Sequence, residues 1–435
     1  MNIDAHSAGS ELTADEAGAR FLRDFAALSM IGRSAGGGVD REAGTIADHE
    51  SRAWWAGWLE ANGFDVRMDR IGNVFGLRTF VPGAPYVLLG SHLDSQPLAG
   101  RFDGAYGVLA AGHAARTVAG RVAMGDITPA VNVAVVDWFN EEGSRFSPSM
   151  MGSSVATGKL ALEEALAITD ATGTTVADAL KPDATFETPL EVANYAEIHI
   201  EQGRILEDSG KTIGLVDGTW AASKYLVRVH GDQAHTGATI MADRHDALYG
   251  AALTVVAARE LTDRVTAGKL HTAVSTMQVL PNSPVTIARF AEFNLDLRSD
   301  DEDVLEEANR LLQEEFARIE KTARVTIERT LTHEWGLRSY TPAGVALATT
   351  AADAAGLPAS RILTVAGHDS TNMKDVVPTI MLFIPSIEGI SHNEKEDSTD
   401  ADAMAGVTML AEVARRLVQG ELWNGERYVL PTTEG

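Results

Sequence analysis

The sequence predicts an α/β protein: a domain with a mixed central sheet flanked by helices, interrupted by an inserted ferredoxin-like βαββαβ unit. Three observations carry this expectation. At 435 residues the chain exceeds what one hydrophobic core usually covers, so two domains are the default. Two apolar runs of strand length, Tyr86 to Ser91 and Val131 to Phe139, suit the buried centre of a sheet. From about Lys224 to Thr330 the rhythm changes to strand, helix, strand, strand, helix, strand.

In chain order, Glu11 to Ile31 carries Phe21, Phe25 and Leu28 at helical spacing, and Ile46 to Ala61 gives a second helix rich in Trp and Ala. Between them Ala35-Gly-Gly-Gly-Val reads as a flexible loop, without the remainder of a phosphate-binding fingerprint. The inserted unit comprises a strand from Lys224 to His230, a helix from Asp243 to Leu261, and strands from His271 to Leu280 and Ile287 to Leu297. A helix from Asp301 to Glu320 and a strand from Arg324 to Arg329 complete it. The acidic run starting at Asp300 reads as a well-capped helix start, since negative charge is favourable at a helix N-terminus. A helix from Pro342 to Ala355 and a buried strand from Thr379 to Pro385 restore the α/β character. The expected division is 1–215 and 333–435 for the α/β domain and 216–332 for the insertion.

Composition narrows the function. Apolar residues at 45% and charged residues at 22% are ordinary for a soluble globular chain, and no run approaches the roughly 20 apolar residues of a membrane helix. The N-terminus has neither a basic start nor an apolar run before a cleavage site, so a cytoplasmic location is expected. Cysteine is absent, which removes disulfides, thiolate nucleophiles and sulfur ligands; any metal must be held by His, Asp and Glu. A net charge of −25 disfavours nucleic acid and anionic membranes as partners.

His92 and Asp94 stand just past the first apolar run, with Asp103 eleven residues after His92, and Glu141 and Glu142 stand just past the second. In open α/β sheets ligands bind at the carboxyl ends of strands. Histidine and carboxylate are the ligand types of hydrolytic zinc-like ions, and one carboxylate can bridge two of them. Adjacent carboxylates repel and call for a cation or a shared proton, although two solvated loop acids would read the same way. His199, in Glu197-Ile-His-Ile-Glu-Gln-Gly, and His392, in Gly389-Ile-Ser-His-Asn-Glu, each end or follow a strand-like segment and complete the set.

These motifs, with Gly100-Arg-Phe-Asp-Gly, Asn140-Glu-Glu-Gly-Ser-Arg-Phe and Gly367-His-Asp, resemble those of the amidase/hydantoinase/carbamoylase family, from about residue 20 to 420. That family comprises N-carbamoyl-L-amino acid hydrolases, β-ureidopropionases and allantoate amidohydrolases, within the dinuclear-metal aminoacylase and carboxypeptidase superfamily. The resemblance implies that Asp103 bridges two divalent ions per subunit, with His92 and His199 completing one site and Glu142 and His392 the other. It makes Glu141 the general base and later the proton donor, with Asp94 holding the His92 ring. It makes the insertion a lid and homodimerisation domain whose His235 stabilises an oxyanion in a neighbouring active site; by its residues alone His235 is equally a turn histidine. Gln202, His368 and Asn282 match substrate-pocket positions, with a structural hydrogen bond the other reading of Gln202 and His368, and Arg298 matches the arginine that grips a substrate carboxylate.

Three positions depart from the family's pattern. Val285 stands where a substrate-binding asparagine is usual, Lys224-Tyr225 replaces Arg-Trp, and Ile240 replaces a proline. The expected reaction is metal-dependent hydrolysis of a linear amide, foremost an N-carbamoyl or other ureido acid giving amino acid, ammonia and CO2. The alternatives are an N-acyl amino acid amidohydrolase or dipeptidase with the same dinuclear chemistry, or a catalytically silent dimeric metal-binding protein. Zinc is the expected metal, with manganese, cobalt and nickel also suited to N and O donors.

Overall fold

The computed structural model describes residues 14–180 and 190–430, which divide into two compact units. The first spans residues up to Asp217, Tyr340–Ile362 and Gly367 onward, and the second Gly218–Ser339 with Leu363–Ala366. The start of the expected first helix lies outside the described residues; the helix observed is Ala14–Leu28. Among the described residues no helix is long and apolar enough to cross a membrane.

The first unit is built on a mixed sheet. Its order is Asp65–Met68, Val74–Arg78, Asn132–Trp138, Tyr86–His92, Leu190–Ile200, Thr379–Ile384, Ile213–Thr219. The four strands Asn132–Trp138, Tyr86–His92, Leu190–Ile200 and Thr379–Ile384 run parallel to one another, and antiparallel strands flank them. These four are buried on both faces, which explains the apolar runs of Tyr86–His92, Asn132–Trp138 and Thr379–Ile384 in place of an alternating pattern. The chain leaves the Tyr86–His92 strand, pairs on one side with Asn132–Trp138, and returns to the other side with Leu190–Ile200. That reversal makes a switch point at the carboxyl ends, where a crevice opens between loops that diverge.

Helix Ala105–Met124 crosses one face of this sheet. Thirteen of its residues are buried, on nearly every side, so it has no polar stripe and escapes a search for helical periodicity. Trp55, Tyr106, Val133, Leu382 and Leu410 belong to the core on this face, and Phe75, Leu88, Trp138, Tyr195 and Met373 to the core of the other.

The second unit has a four-stranded antiparallel sheet ordered Thr326–Trp335, Ala221–His230, Phe290–Ser299, Leu270–Leu280, with helices Ala247–Glu260 and Glu302–Ala323. Strand Phe290–Ser299 alternates strictly and Ala221–His230 does so from Ser223 onward, with Tyr225, Val227, Val229, Phe293, Leu295 and Leu297 buried in one core with Ala251, Leu312 and Phe316 of the helices. Two boundaries differ from those expected for local reasons. The first helix starts at Ala247 because Asp246 caps it, accepting from Leu248 and Tyr249 N–H. The last strand starts at Thr326 because Arg324, at a φ of 55°, ends the preceding helix in the left-handed region.

Candidate metal centre

The carboxyl ends of the four parallel strands deliver the cluster. His92 is the last residue of its strand and His199 the last but one of Leu190–Ile200. Glu141 and Glu142 follow Trp138, and His392 lies in the loop after Ile384. Asp103 precedes helix Ala105–Met124, with Gly104 between them at a φ of 63°. A β-carbon at Gly104 would lie 2.4 Å from the His92 ring, so both the backbone conformation and the packing demand glycine there.

Asp103 stands at the centre. Its Oδ1 lies 3.0 Å from His199 Nε2 and 3.5 Å from His92 Nε2, while Oδ2 lies 3.2 Å from His392 Nε2. His392 Nε2 is 3.5 Å from Glu142 Oε2. His92, Asp103 and His199 thus form one potential ligand group, and Asp103, Glu142 and His392 a second. Donors bound at about 2.0 to 2.1 Å to one tetrahedral ion lie about 3.3 Å apart, and the separations observed bracket that figure.

The imidazole tautomers fit a cation as well. His199 Nδ1 sits 2.9 Å from Ile200 O and His92 Nδ1 3.0 Å from Asp94 O, so each Nδ1–H is spent on a carbonyl. The Nε2 lone pairs therefore face the carboxylates, and Gly104 N–H donates to that of His199 at 3.0 Å. A lone pair opposed to a carboxylate at these distances calls for positive charge, from a ring proton or from a bound cation.

Glu141 is not needed by either group. It is buried, with Oε2 3.6 Å from His92 Nε2. Burial raises its pKa well above the ordinary carboxylate value, and Asp369 and Glu142 reinforce this against the pull of His92. Burial and Asp103 push Glu142 up to about 7. Burial opposes the ionised form of Asp103 too, but hydrogen bonds with His199, His392 and His92 outweigh it and hold the carboxyl well below its usual range. The cluster is an excess of buried acids that favours any cation placed among them.

Asp94 does more than its expected part. The nearest group to His92 Nδ1 is its carbonyl, and its carboxylate, with Oδ1 3.6 Å from that nitrogen, accepts Glu141 N–H at 3.1 Å and Glu142 N–H at 3.2 Å. It therefore sets the turn that aims both glutamates. Gln96, unmarked by the sequence reading, holds Glu142 through its backbone N–H and its side-chain amide, at 3.2 and 2.9 Å from the two carboxylate oxygens.

Of the expected pocket residues, Gln202 donates to Asp103 Oδ2 at 2.8 Å and to Ser391 Oγ at 3.0 Å, and its Oε1 is buried without a partner. His368 is buried with its ring 4.6 Å from that of His199; burial and His199 drive its pKa well down, so it is neutral.

The other expected residues belong to the second unit. His235 Nδ1 accepts Gly237 and Ala238 N–H at 3.0 and 3.1 Å, which fixes its proton on Nε2 as a donor. His235 pairs with Thr286, beside Val285, which is 60% exposed. Arg298 Nε and Nη2 contact Asp296, and Nη1 donates to Val365 O at 2.6 Å. Asn282 occupies the turn after Leu270–Leu280 with a φ of 55°.

The glycine loop expected to be flexible is tied down. Gly38 O accepts Ser34 N–H, Val39 pairs with Ala99, and both Ser34 Oγ and Gly36 N–H donate to Glu394, two residues from His392. A β-carbon at Gly38 would lie 2.0 Å from Ala99 O, so the run of glycine reflects close packing.

Comparison with known proteins gives the chain its family. A sequence profile of peptidase family M20/M25/M40 matches residues 88–416. A protein of Mycolicibacterium smegmatis named as a hydrolase is 52% identical over 410 residues, covering 92% of this chain and 93% of its own. An N-carbamoyl-L-amino-acid amidohydrolase of Rhizobium meliloti is 33% identical over 396 residues, covering 88% and 92%. The crystal structure of a hydantoinase/carbamoylase family amidase from Burkholderia vietnamiensis matches with a TM-score of 0.85 at 36% identity, covering 92% of this chain and 97% of that one. The chain belongs to the peptidase M20/M25/M40 family, among its hydantoinase/carbamoylase amidases, and is a metal-dependent amidohydrolase.

Proposed function

We propose that the protein hydrolyses the amide of an N-carbamoyl amino acid or a related ureido acid, releasing amino acid, ammonia and CO2. The observation that carries this reading is the shared carboxylate: Asp103 turns one oxygen to each of two ligand groups, beside a buried glutamate that neither group uses. His92 and His199 would hold one divalent ion with Asp103, and Glu142 and His392 the other, with zinc the default and manganese, cobalt or nickel equally suited to the donors. Bound there, the ions would polarise the amide carbonyl and acidify the attacking water. Glu141, buried beside His92 and outside both ligand groups, takes the proton of that water and delivers it to the departing nitrogen.

Gln202 and His368 contribute substrate contacts, the former through its unpartnered Oε1. The ferredoxin-like insertion, 216–332, serves as lid and homodimer interface in a cytoplasmic enzyme, with Asn282 and Arg298 toward a substrate carboxylate and His235 Nε2–H toward the oxyanion of a neighbouring site.

The family membership sets aside a catalytically silent protein. An N-acyl amino acid amidohydrolase or dipeptidase remains as the second reading, favoured by valine at position 285. Carbamoyl-α-amino acids, carbamoyl-β-alanine, allantoate, N-acyl amino acids and dipeptides offered to metal-loaded enzyme decide between them. Ammonia release from a carbamoyl substrate is expected; turnover confined to N-acyl substrates or dipeptides would overturn the first reading.

Because a bidentate arginine is geometrically demanding, Arg298→Lys should chiefly raise KM for carboxylate substrates, whereas His235→Ala should chiefly lower kcat. Mixing inactive His235→Ala with inactive Glu141→Gln protein under subunit exchange should regenerate activity, since one site of the mixed dimer receives both native residues. No recovery despite demonstrated heterodimers would remove His235 from a shared site.

A further inference from the structure

The two ligand groups differ in how they are supported. His92 and His199 are carried by central strands, and each has its Nδ1–H on a backbone carbonyl. His392 lies in a loop, is 49% exposed at its side chain and has a φ of 52°. What sets it opposite Asp103 is the contact between the 389–397 loop and the 100–104 loop, and that contact centres on Glu396.

Glu396 is 3% exposed. Its Oε1 accepts two converging backbone donors, Phe102 N–H at 3.1 Å and Asp103 N–H at 2.9 Å. Its Oε2 lies 3.0 Å from Ser391 Oγ, the hydroxyl of the residue before His392. Ser391 Oγ is itself 3.2 Å from Asp103 Oδ2 and receives Gln202 Nε2–H at 3.0 Å. A β-carbon at Gly100 would lie 2.0 Å from Glu396 Oε1, so the 100–104 loop leaves room for this carboxylate. One carboxylate here grips both loops at once, with two backbone N–H groups on one oxygen and the Ser391 hydroxyl on the other.

We propose that Glu396 is a positioning residue that fixes the register between the Asp103 and His392 loops and thereby builds the second ligand group. Glu394, bonded to Ser34 and Gly36, and Asp397, bonded to Arg101, tether neighbouring parts of the loop without touching the Asp103 backbone. Among the described residues Glu396 alone joins the N–H of Asp103 to the hydroxyl beside His392. Glutamine at 396 keeps an oxygen for Phe102 and Asp103 N–H but turns a donor toward Ser391 Oγ, which can still accept it. Alanine removes the grip entirely.

The inference rests on the two-ion reading, and titration of metal-free full-length protein with zinc separates the two. Wild type should bind two ions per chain, and His392→Ala marks which step belongs to the second group. Glu396→Ala should weaken that step by about 10- to 100-fold, the usual effect of losing a partner that orients a ligand, and leave the other within about twofold. Glu396→Gln should recover most of the loss, and Ser391→Ala, a smaller change to the fold, should weaken the same step. A second readout is the visible spectrum on cobalt loading, which should lose the contribution of the second ion at low cobalt in the alanine variants only. Superimposable isotherms for wild type, Glu396→Ala and Ser391→Ala, or equal weakening of both steps, would overturn the proposal while the two-ion reading stands. Fewer than two ions in wild type would overturn both.

Discussion

Glu141→Gln protein is expected to retain its metal and to lose at least about a hundredfold in turnover, the scale of general-base catalysis. The substitution keeps the shape of the side chain and removes only its capacity to take a proton. Glu141 can be changed without dismantling the ligand groups because each is complete without it: His92, Asp103 and His199 form one, and Asp103, Glu142 and His392 the other. The turn that carries it is set by Asp94 through the backbone N–H of Glu141 and Glu142, contacts that glutamine leaves intact. Metal analysis alongside steady-state kinetics checks both halves of this expectation. Near-wild-type activity would remove Glu141 from the role of base, and loss of metal would make it a ligand.

Metal removal should have the larger effect still, abolishing activity rather than reducing it. Prolonged dialysis against a chelator should give an inactive protein that zinc, manganese or cobalt restores, because every donor is nitrogen or oxygen. Asp103→Ala should reproduce that state genetically. One oxygen of Asp103 faces His92 and His199 and the other faces His392, so a single substitution damages both groups, whereas His199→Ala damages one. Full activity in protein shown by elemental analysis to be metal-free would sink the mechanism.

What could be read from the sequence follows from physical range. The Tyr86–His92 and Asn132–Trp138 strands announce themselves because both faces are buried and the apolar text runs through Val87–Leu89 and Val133–Val136 without alternation. Helix Ala105–Met124 does not, because burial on nearly all sides erases the stripe that marks a surface helix. The six acids and histidines at the strand ends were legible as residue types at the carboxyl side of apolar runs, and the resemblance supplied their distribution between two groups. The partners that orient them were not. Gln96 reaches Glu142 across 46 positions and Glu396 reaches Asp103 across 293, pairings that no local pattern encodes. Glu396 stands just beyond the Gly389-Ile-Ser-His-Asn-Glu text, and the glycine run at 36–38 looked like slack chain because the glutamate it packs against lies more than 350 residues away.

The interruption of the first unit also imposes an order of assembly on the growing chain. His92, Asp103, Glu142 and His199 leave the ribosome before the second unit begins, but the Thr379–Ile384 strand and His392 emerge only after it is complete. At about 5 to 20 residues per second, roughly 190 residues of delay amount to roughly 10 to 40 s. Throughout that interval the Leu190–Ile200 strand lacks one of its two parallel neighbours and presents one open edge, the kind of surface that pairs with foreign strands. All three donors of the group on Asp103 Oδ1 have been synthesised by residue 199, whereas its counterpart waits for residue 392. The donors of the first group are thus complete in the nascent chain well before those of the second.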